Sequence, residues 1–304
     1  MGWAVYLDES GDFEHDHTVC VAGVLVPRDA GPDEVALAQW MRRRFDFVPW
    51  PLHAAHLNLP ILLALAALRT DRPFPGRAAL DTLRQRLSWR QRDSVRRVDE
   101  ALAAGACPPF DDLRVLQAEV GPGEDAALLA LQRAFFDQLK GLMADLATDG
   151  VRITLAGEAC PRAPQPRYRA LLVGLAGHLG QRAPGGGLKL HVLWRPAREA
   201  ADEPATPLNR SRIERWLAEA DAGRVKLAWL GGFDRRASPW LVLADFVANR
   251  TRRVLRDAQS LADLEGGLLA WIGVGGAAAD TCWARPGDAT PRLWAASLEG
   301  WGHG

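Results

Sequence analysis

The chain opens with Trp3-Ala-Val-Tyr-Leu-Asp8-Glu9-Ser10-Gly11-Asp12, an apolar run rich in β-forming residues that ends at two acidic side chains, a serine and a glycine. This pattern predicts a buried strand whose last residue brings a carboxylate to the rim of a sheet. Gly11 permits a tight turn, and the run 19–26 predicts the partner strand of a hairpin. A carboxylate at the end of a central strand is poorly solvated, so Asp8 requires a cation, a hydrogen-bond donor or a proton.

Composition and length place the chain among globular proteins with room for a large core. Its 304 residues are 48% hydrophobic and 24% charged, and the formal net charge is zero. A neutral balance argues against a protein coated in positive potential. The N-terminus has no basic leader, and the longest apolar stretch, 57–68, contains Pro60 and is too short to cross a bilayer. We therefore expect a cytoplasmic protein without a membrane segment.

The order of the predicted elements indicates a single mixed sheet. After the hairpin, residues 33–148 have a mainly helical pattern, with a long amphipathic stretch at 78–104. From position 150 onward, strands and helices alternate. This order fits one α/β domain over 1–304 with a helical insertion at 33–148. The predicted strands are 151–155, 188–194 and 225–230, and the predicted helices are 167–181, 210–222 and 239–257.

Two segments leave more than one interpretation open. The stretch 78–104 carries six arginines between its apolar positions, among them Arg90 and Arg97. These arginines form either a solvated helix face, which we favour, or a groove that binds a nucleic-acid backbone. The Trp- and Gly-rich tail at 271–304 has weak periodicity, so it is either a packed C-terminal extension or an interface.

Three acidic residues occur at comparable points of the predicted elements. Asp8 ends the first strand, Glu158 follows the strand at 151–155, and Asp245 lies in the helix at 239–257. Asp245 is the least expected, because its neighbours are almost all apolar and should belong to the core. One explanation is an ion pair with a nearby arginine. Convergence of all three acids at one sheet edge would be strongly repulsive unless Mg²⁺ or Mn²⁺ neutralised it.

Two motifs carry a resemblance to a known family. The first is Tyr6-Leu-Asp8-Glu9-Ser10-Gly11-Asp12, followed by Val21-Ala-Gly23, and the second is Ser238-Pro239-Trp-Leu-Val-Leu-Ala-Asp245-Phe-Val-Ala-Asn249. In both motifs and in their order, the chain resembles a large bacterial and phage family of unknown function that is named for its opening DESG motif. The resemblance spans most of the chain and implies an RNase H-like fold.

The resemblance also implies a metal-dependent site. The RNase H-like pattern has one acid on the first strand, one on a later strand and one on the last helix, and Asp8, Glu158 and Asp245 fill these places. Asp8 would bridge two divalent ions, Mg²⁺ or Mn²⁺, while Glu158 and Asp245 would each hold one of them. Glu9 is the reserve ligand. Two such ions lie about 4 Å apart, clamp the attacking and leaving oxygens of a phosphodiester, and supply hydroxide near neutral pH.

Histidines and arginines complete the predicted site. His53 falls where the family often has a Glu-Leu-His-like segment, and this chain has proline in place of the acid. His53 or His56 would orient a water molecule or move a proton, and the alternative is a pair of histidines that cap a buried helix. If nucleic acid binds, the cations expected to contact its backbone are Arg90, Arg97 and Arg250.

Three functions are consistent with these residues. The leading hypothesis is a metal-dependent nuclease acting on DNA or RNA, in antiphage defence or on mobile elements, where proteins resembling this one are often found. The second is a non-catalytic nucleic-acid-binding or scaffold protein of the same fold, which works with a protein partner or as a homo-oligomer. The third is a nucleotide phosphohydrolase with an enclosed pocket. Mn²⁺ affinity that depends on Asp8 separates enzyme from scaffold, and a steep salt dependence of polymer binding separates nuclease from phosphohydrolase.

Overall fold

The opening segment forms the predicted hairpin. In a computed structural model of the chain, strand β1 (Trp3–Ser10) pairs antiparallel with β2 (Thr18–Pro27). Gly11 follows β1 with a φ of 105°, a left-handed conformation that glycine adopts without strain. The residues that the structure describes are 2–13, 16, 18–28, 33–44, 53–70, 73–74, 76–159, 167–182, 187–193, 210–219, 225–231, 238–258, 261–272 and 294–296.

The described strands form one sheet in the order β5-β4-β1-β2-β3-β6. Strand β3 (Arg152–Ala159) pairs antiparallel with β2, and the short β6 (Trp294–Ala296) pairs with β3. On the other side, β4 (Leu188–Leu193) is parallel to β1, and β5 (Val225–Gly231) is parallel to β4. Because β1 lies inside the sheet, most of its side chains are buried, which agrees with its apolar sequence. The prediction of a mixed α/β sheet is confirmed.

Helices connect the later strands. Helix α7 (Arg167–Arg182) packs against β2, β3, β4 and β5, and α8 (Arg210–Glu219) packs against β5 and α7. Helix α7 lies on the sheet face that carries Val225, against which Gly180 packs closely. The strand–helix alternation predicted from position 150 onward is therefore observed.

The last long helix of the sheet, α9 (Pro239–Asp257), is buried around most of its circumference. Ser238 caps its start, because the Ser238 Oγ accepts a hydrogen bond from the Trp240 N–H at 3.3 Å. Pro239 occupies the first turn, where a missing N–H costs nothing. Helix α9 packs against β1, β2 and β3, and α10 (Leu261–Ile272) packs on α9. An apolar helix of this kind has to be covered on several sides.

The sequence folds as two compact units, one built on the sheet and one helical. The sheet unit comprises residues 1–33 and 140–304, and the helical unit comprises residues 34–139, inside the predicted insertion at 33–148. A 3₁₀ turn (Ala54–Asn58) lies between the first two helices of the helical unit. The described helices of this region are α1 (Glu34–Arg44), α2 (Ile61–Leu68), α3 (Arg77–Arg90), α4 (Arg92–Ala103), α5 (Phe110–Ala118) and α6 (Pro122–Thr148), the last of which continues into the sheet unit.

The amphipathic stretch predicted at 78–104 is two helices rather than one. Gln91, between α3 and α4, has a φ of −126° and a ψ of 45°, which lie outside the helical region. Its side-chain amide donates a hydrogen bond to the Glu119 carboxylate at 3.2 Å, an interaction distant in sequence. A break of one residue hardly changes the spacing of the apolar residues, so the sequence pattern indicates one continuous stretch.

The C-terminal region is described only in part. The predicted extension at 271–304 contributes the end of α10 and strand β6, and its other residues lie outside the described part of the chain. Among the residues that the structure describes, no helix combines the length and the apolar character needed to cross a membrane.

Candidate metal centre

Two contacts fix how α9 lies along the central hairpin. The Tyr6 ring on β1 stacks against the Trp240 ring, with their centroids 6.1 Å apart. Further along, the Cys20 thiol on β2 donates to the Ala248 carbonyl oxygen at 3.3 Å. Because Cys20 is the register partner of Ser10, Tyr6 and Ser10 mark two levels of β1 on the face toward α9. The helix therefore runs beside β1 in the same direction.

Asp8 and Asp245 lie between these two levels. Asp8 falls midway between Tyr6 and Ser10, and alternation along the strand keeps all three on the face toward α9. On the helix, Asp245 lies about one turn before Ala248 and on the same side. Both aspartates are buried, with 6% and 4% of their surface exposed. Two buried aspartates on facing elements thus lie at one level of the sheet.

The Cys20 thiol has a pKa that the charges of Asp8 and Arg252 both influence. Burial raises the pKa of the Cys20 thiol, the positive charge of Arg252 lowers it, and the negative charge of Asp8 raises it. Cys20 therefore lies within electrostatic reach of both Asp8 and Arg252. Two buried carboxylates repel each other and require protons, cations or hydrogen-bond donors to remain in place.

Arg252 joins α9 to the turn of the hairpin. Its Nε donates to the Thr18 carbonyl oxygen at 2.9 Å, and its Nη2 donates to the Asp16 carboxylate at 2.7 Å. The same carboxylate oxygen of Asp16 accepts a hydrogen bond from the Asp12 N–H. A Cβ at Gly11 would lie 2.9 Å from the Thr18 carbonyl oxygen, so this backbone atom and the positive φ both favour glycine there. The turn after the DESG motif is thus held against α9.

The backbone register separates Glu158 from Asp8. In the register of the sheet, Asp8 pairs with Ala22 of β2, and Ala22 pairs with Leu155 of β3. Glu158 lies three residues beyond Leu155 on β3. These offsets amount to about 14 Å between the Cα atoms of Asp8 and Glu158. The odd offset also puts position 158 on the other face of the sheet, and Glu9, next to Asp8, belongs to that face as well. The backbone register thus does not bring Glu158 or Glu9 beside Asp8, and their role as metal ligands stays a prediction.

The predicted histidines belong to the helical unit. The Nδ1 of His53 accepts a hydrogen bond from the Ala55 N–H at 3.1 Å and caps the 3₁₀ turn Ala54–Asn58. The Nε2 of His56 lies 3.2 Å from the Pro108 carbonyl oxygen. In a neutral ring, an Nδ1 that accepts leaves the proton on Nε2. These contacts favour the capping role that the sequence offers as the alternative to proton transfer.

Arg90 and Arg97, two of the predicted nucleic-acid contacts, face acidic partners within the helical unit. The Nε of Arg97 donates to the Asp112 carboxylate at 2.9 Å, and the guanidinium of Arg90 lies 3.6 Å from the Glu119 carboxylate. The hydrogen bond from Arg97 holds the pKa of Asp112 below its usual value. The arginine-rich stretch is therefore a largely ion-paired face, with further pairs at Arg84–Asp99, Arg86–Glu124 and Arg96–Glu100.

Arg250, the third predicted nucleic-acid contact, is buried on α9. Only 3% of its surface is exposed, and burial together with the charge of Arg253 lowers its pKa to about 9. A side chain in this position does not reach a nucleic acid in solvent. The prediction for Arg250 is corrected because α9 is covered on the side away from the sheet as well as on the side toward it.

Three further polar residues occur around the aspartates, and none of them is among the predicted site residues. Asn249 and Arg252 follow Asp245 by four and seven residues, the spacing of one helix face, which is a usable signal. His191 on β4 pairs with Tyr6, and their rings stack with centroids 4.5 Å apart. The place of His191 depends on which strand lies beside β1, so no local pattern reveals it.

The aspartate pair offers oxygen ligands to a divalent ion. Within the described part of the chain, no three or more His, Cys, Asp or Glu residues form a group that could hold a metal. Mg²⁺ does not need such a cage, because it keeps several waters and is commonly held by one or two carboxylates together with substrate phosphates. Asp8 and Asp245 fit an ion of this kind, which would also neutralise their mutual repulsion.

Known proteins do not extend this description. Comparison of the chain with models of protein families, with characterised proteins and with solved structures finds no match.

Proposed function

We propose that this chain is a divalent-metal-dependent nuclease with an RNase H-like fold. The observation that carries the proposal is the position of Asp8 and Asp245, two buried aspartates on facing elements at one level of the sheet. A purely structural role explains such a pair poorly, because apolar side chains would fill the same space without the cost of burying charge.

The elements that carry the two aspartates agree with the RNase H-like pattern that the resemblance implies. An antiparallel β3-β2-β1 set continues on the β1 side into β4 and β5, which follow the direction of β1. The family resemblance implies an RNase H-like pattern with one acid on the first strand and another on a helix late in the chain. Asp8 and Asp245 occupy the corresponding elements and belong to the two motifs on which the family resemblance rests.

Mg²⁺ or Mn²⁺ would be held by the carboxylate oxygens of Asp8 and Asp245. An ion in such a site supplies charge stabilisation and an activated water for phosphodiester hydrolysis. The task of the chain is to hold the two carboxylates in place. Burial of β1, the Ser238 cap of α9 and the contact of the Cys20 thiol with α9 provide that rigidity. The proposed partner is DNA or RNA, and antiphage defence or a mobile element is the proposed setting.

The test is cleavage of labelled DNA and RNA with Mn²⁺ or Mg²⁺, for the wild type beside Asp8→Asn and Asp245→Asn. Both substitutions keep the side-chain shape and remove one metal-binding charge, so we expect each to reduce cleavage by at least about 100-fold. Asp257→Asn is the matched control, because Asp257 is an exposed acid on the same helix whose partner is the adjacent Arg256. It should cleave like the wild type.

Each result has a defined meaning. Cleavage that persists in both aspartate variants would contradict the proposal, as would the absence of cleavage of any polymer with either metal. Hydrolysis of nucleoside triphosphates without polymer cleavage would indicate a nucleotide phosphohydrolase. Circular dichroism of each variant checks that a loss of activity is not a loss of fold.

A non-catalytic scaffold is the second candidate, and the arginine pairs favour it. Arg97, Arg84 and Arg86 are held by acids, so the helical unit presents little uncompensated charge to a nucleic-acid backbone there. Mn²⁺ binding separates the two candidates. A nuclease should bind Mn²⁺ with an affinity that Asp8→Asn reduces, and a scaffold should not.

A further inference from the structure

Asn249 carries a buried oxygen that accepts no hydrogen bond from any described residue. Its Oδ1 is enclosed and has no donor among the residues that the structure describes. An amide oxygen has two lone pairs and is expensive to leave unsatisfied away from water. Buried acceptors in native proteins therefore usually face a donor, an ordered water or a cation. Asn249 is placed to meet a group that the described part of the chain does not provide.

The position of Asn249 relates this oxygen to the aspartate pair. Asn249 follows Asp245 by four residues on α9, so its side chain lies about one helical turn from that carboxylate on the same side. Arg252, three residues after Asn249 on the same side of α9, donates a hydrogen bond to the Thr18 carbonyl oxygen at the start of β2. Asn249 thus lies between two α9 residues that face the β1–β2 hairpin, whose first strand carries Asp8.

The chemistry of the donor set is that of a hard divalent cation. Carboxylate oxygens and amide carbonyl oxygens are both ligands of Mg²⁺, Mn²⁺ and Ca²⁺ in proteins. Position 158, where the family resemblance places the third ligand, is three residues out of register with Asp8 and lies on the other face of the sheet. Among the described residues, no third acid joins Asp8 and Asp245 in a group that could hold a metal. On α9, the nearest oxygen without a hydrogen-bond donor in the described part of the chain is that of Asn249.

We propose that the Oδ1 of Asn249 is the third protein oxygen at the Asp8–Asp245 metal site and binds the divalent ion or its water. This inference rests on the proposed function, because it presupposes that the aspartate pair binds a metal. It goes beyond that function in replacing the acid of the sequence motif with a neutral ligand on the same helix as Asp245.

The test is Mn²⁺ binding to the full chain, measured by calorimetry and by the metal-induced rise in melting temperature, neither of which requires activity. Asn249→Leu removes the oxygen at similar size and should weaken Mn²⁺ binding roughly 10- to 100-fold. Asn249→Asp keeps the shape and adds a charge, so it should bind Mn²⁺ roughly tenfold more tightly, with affinity that falls as the pH is lowered.

Thr251→Val is the matched control. The Thr251 hydroxyl is another enclosed polar group on α9 without a hydrogen-bond partner in the described residues, and it lies two residues, about 200°, around the helix from Asn249. Removing it should leave the Mn²⁺ affinity at the wild-type value. An equal loss of affinity in Thr251→Val and Asn249→Leu would show that the effect is a general disturbance of α9, and would overturn the inference.

The result distinguishes failure of the inference from failure of the proposed function. If the wild type binds no Mn²⁺, or Asp8→Asn binds it equally well, the metal site itself is rejected and the inference falls with it. If Asp8→Asn loses binding while Asn249→Leu and Asn249→Asp both bind like the wild type, only the role of Asn249 is rejected. If Asn249→Leu does not fold, the affinity of Asn249→Asp decides, since an unchanged value overturns the inference.

Discussion

Arg252 and Thr18 lie 234 residues apart in the chain, yet the Arg252 Nε donates to the Thr18 carbonyl oxygen at 2.9 Å. This bond joins the start of the second strand to α9, the helix that packs against β1, β2 and β3. Because the same helix carries Asp245 and the same hairpin carries Asp8, the bond also limits how far the two aspartates can separate.

Arg252→Gln should destabilise the protein by about 1–2 kcal/mol. The substitution removes hydrogen bonds to a backbone carbonyl and to the Asp16 carboxylate, and partial exposure of this pair limits the loss. Arg256→Gln is the control, since Arg256 is exposed and pairs with its neighbour Asp257; it should change stability by no more than about 0.5 kcal/mol. Urea unfolding measures both, and equal midpoints for the two variants would contradict the role given to Arg252.

Gly23→Ala should prevent the hairpin from closing normally. A Cβ at this position would lie 1.8 Å from the Tyr6 carbonyl oxygen and 3.0 Å from the Leu7 Cα, both of them backbone atoms of β1 that cannot turn away. We expect a loss of at least about 4 kcal/mol, or insoluble protein.

Gly177→Ala is the contrasting variant. A Cβ there has no heavy atom within 4 Å, and the residue lies inside α7, where alanine is the better helix former. Stability should stay equal or rise by up to about 1 kcal/mol. Melting curves of the two alanine variants provide the comparison, and similar losses in both would show that the close approach at Gly23 is not the cause.

The elements of the fold are predictable where their signals are local. An apolar run that stops at Asp8 and a helix capped by Ser238 and Pro239 are visible in short windows, and both form as expected. Strand pairing is different, because no residue of β4 or β5 indicates which of them lies beside β1. The break at Gln91 and the buried far side of α9 also depend on contacts with distant residues.

The candidate site divides in the same way. Asp245 stands out in the sequence because a charge among apolar helical neighbours is itself unusual. The place of Glu158 depends on strand register, and a shift of one residue moves a side chain to the other face. The unsatisfied oxygen of Asn249 depends on what surrounds it in three dimensions, so only the structure reveals it.

Asp112→Asn should reduce stability at neutral pH and have little effect in acid. The hydrogen bond from Arg97 lowers the pKa of Asp112, burial opposes this, and the Ser94 hydroxyl adds to the lowering. Because the folded-state pKa is lower than the unfolded value of 3.8, the stabilisation is complete above that value and is lost as the pH falls through the folded-state pKa. We expect a difference from wild type of about 1 kcal/mol at pH 7 that shrinks below about pH 4.

Urea unfolding at several pH values between 7 and 3 checks this dependence. Asp111→Asn is the control, because Asp111 is an exposed neighbour on α5 without an ion pair to any described residue. It should track the wild type within about 0.5 kcal/mol at every pH. A difference for Asp112→Asn that stays constant down to pH 3 would contradict the ionic origin of its contribution.

The approach of Asp8 and Asp245 can be tested without any activity, by a double-mutant cycle in metal-free protein. If the two carboxylates repel each other, replacing either one by Asn relieves the same repulsion, so the two effects on stability should not add. We expect a coupling free energy of about 1 kcal/mol or more between Asp8→Asn and Asp245→Asn. The cycle that combines Asp8→Asn with Asp257→Asn should be additive, because Asp257 is exposed at the C-terminal end of α9.

Saturating Mn²⁺ should stabilise the wild type and neither aspartate variant, since only an ion that binds the folded state raises its stability. Additivity in both cycles would mean that the two aspartates do not share a site, and the proposed nuclease centre would then lose the observation on which it rests.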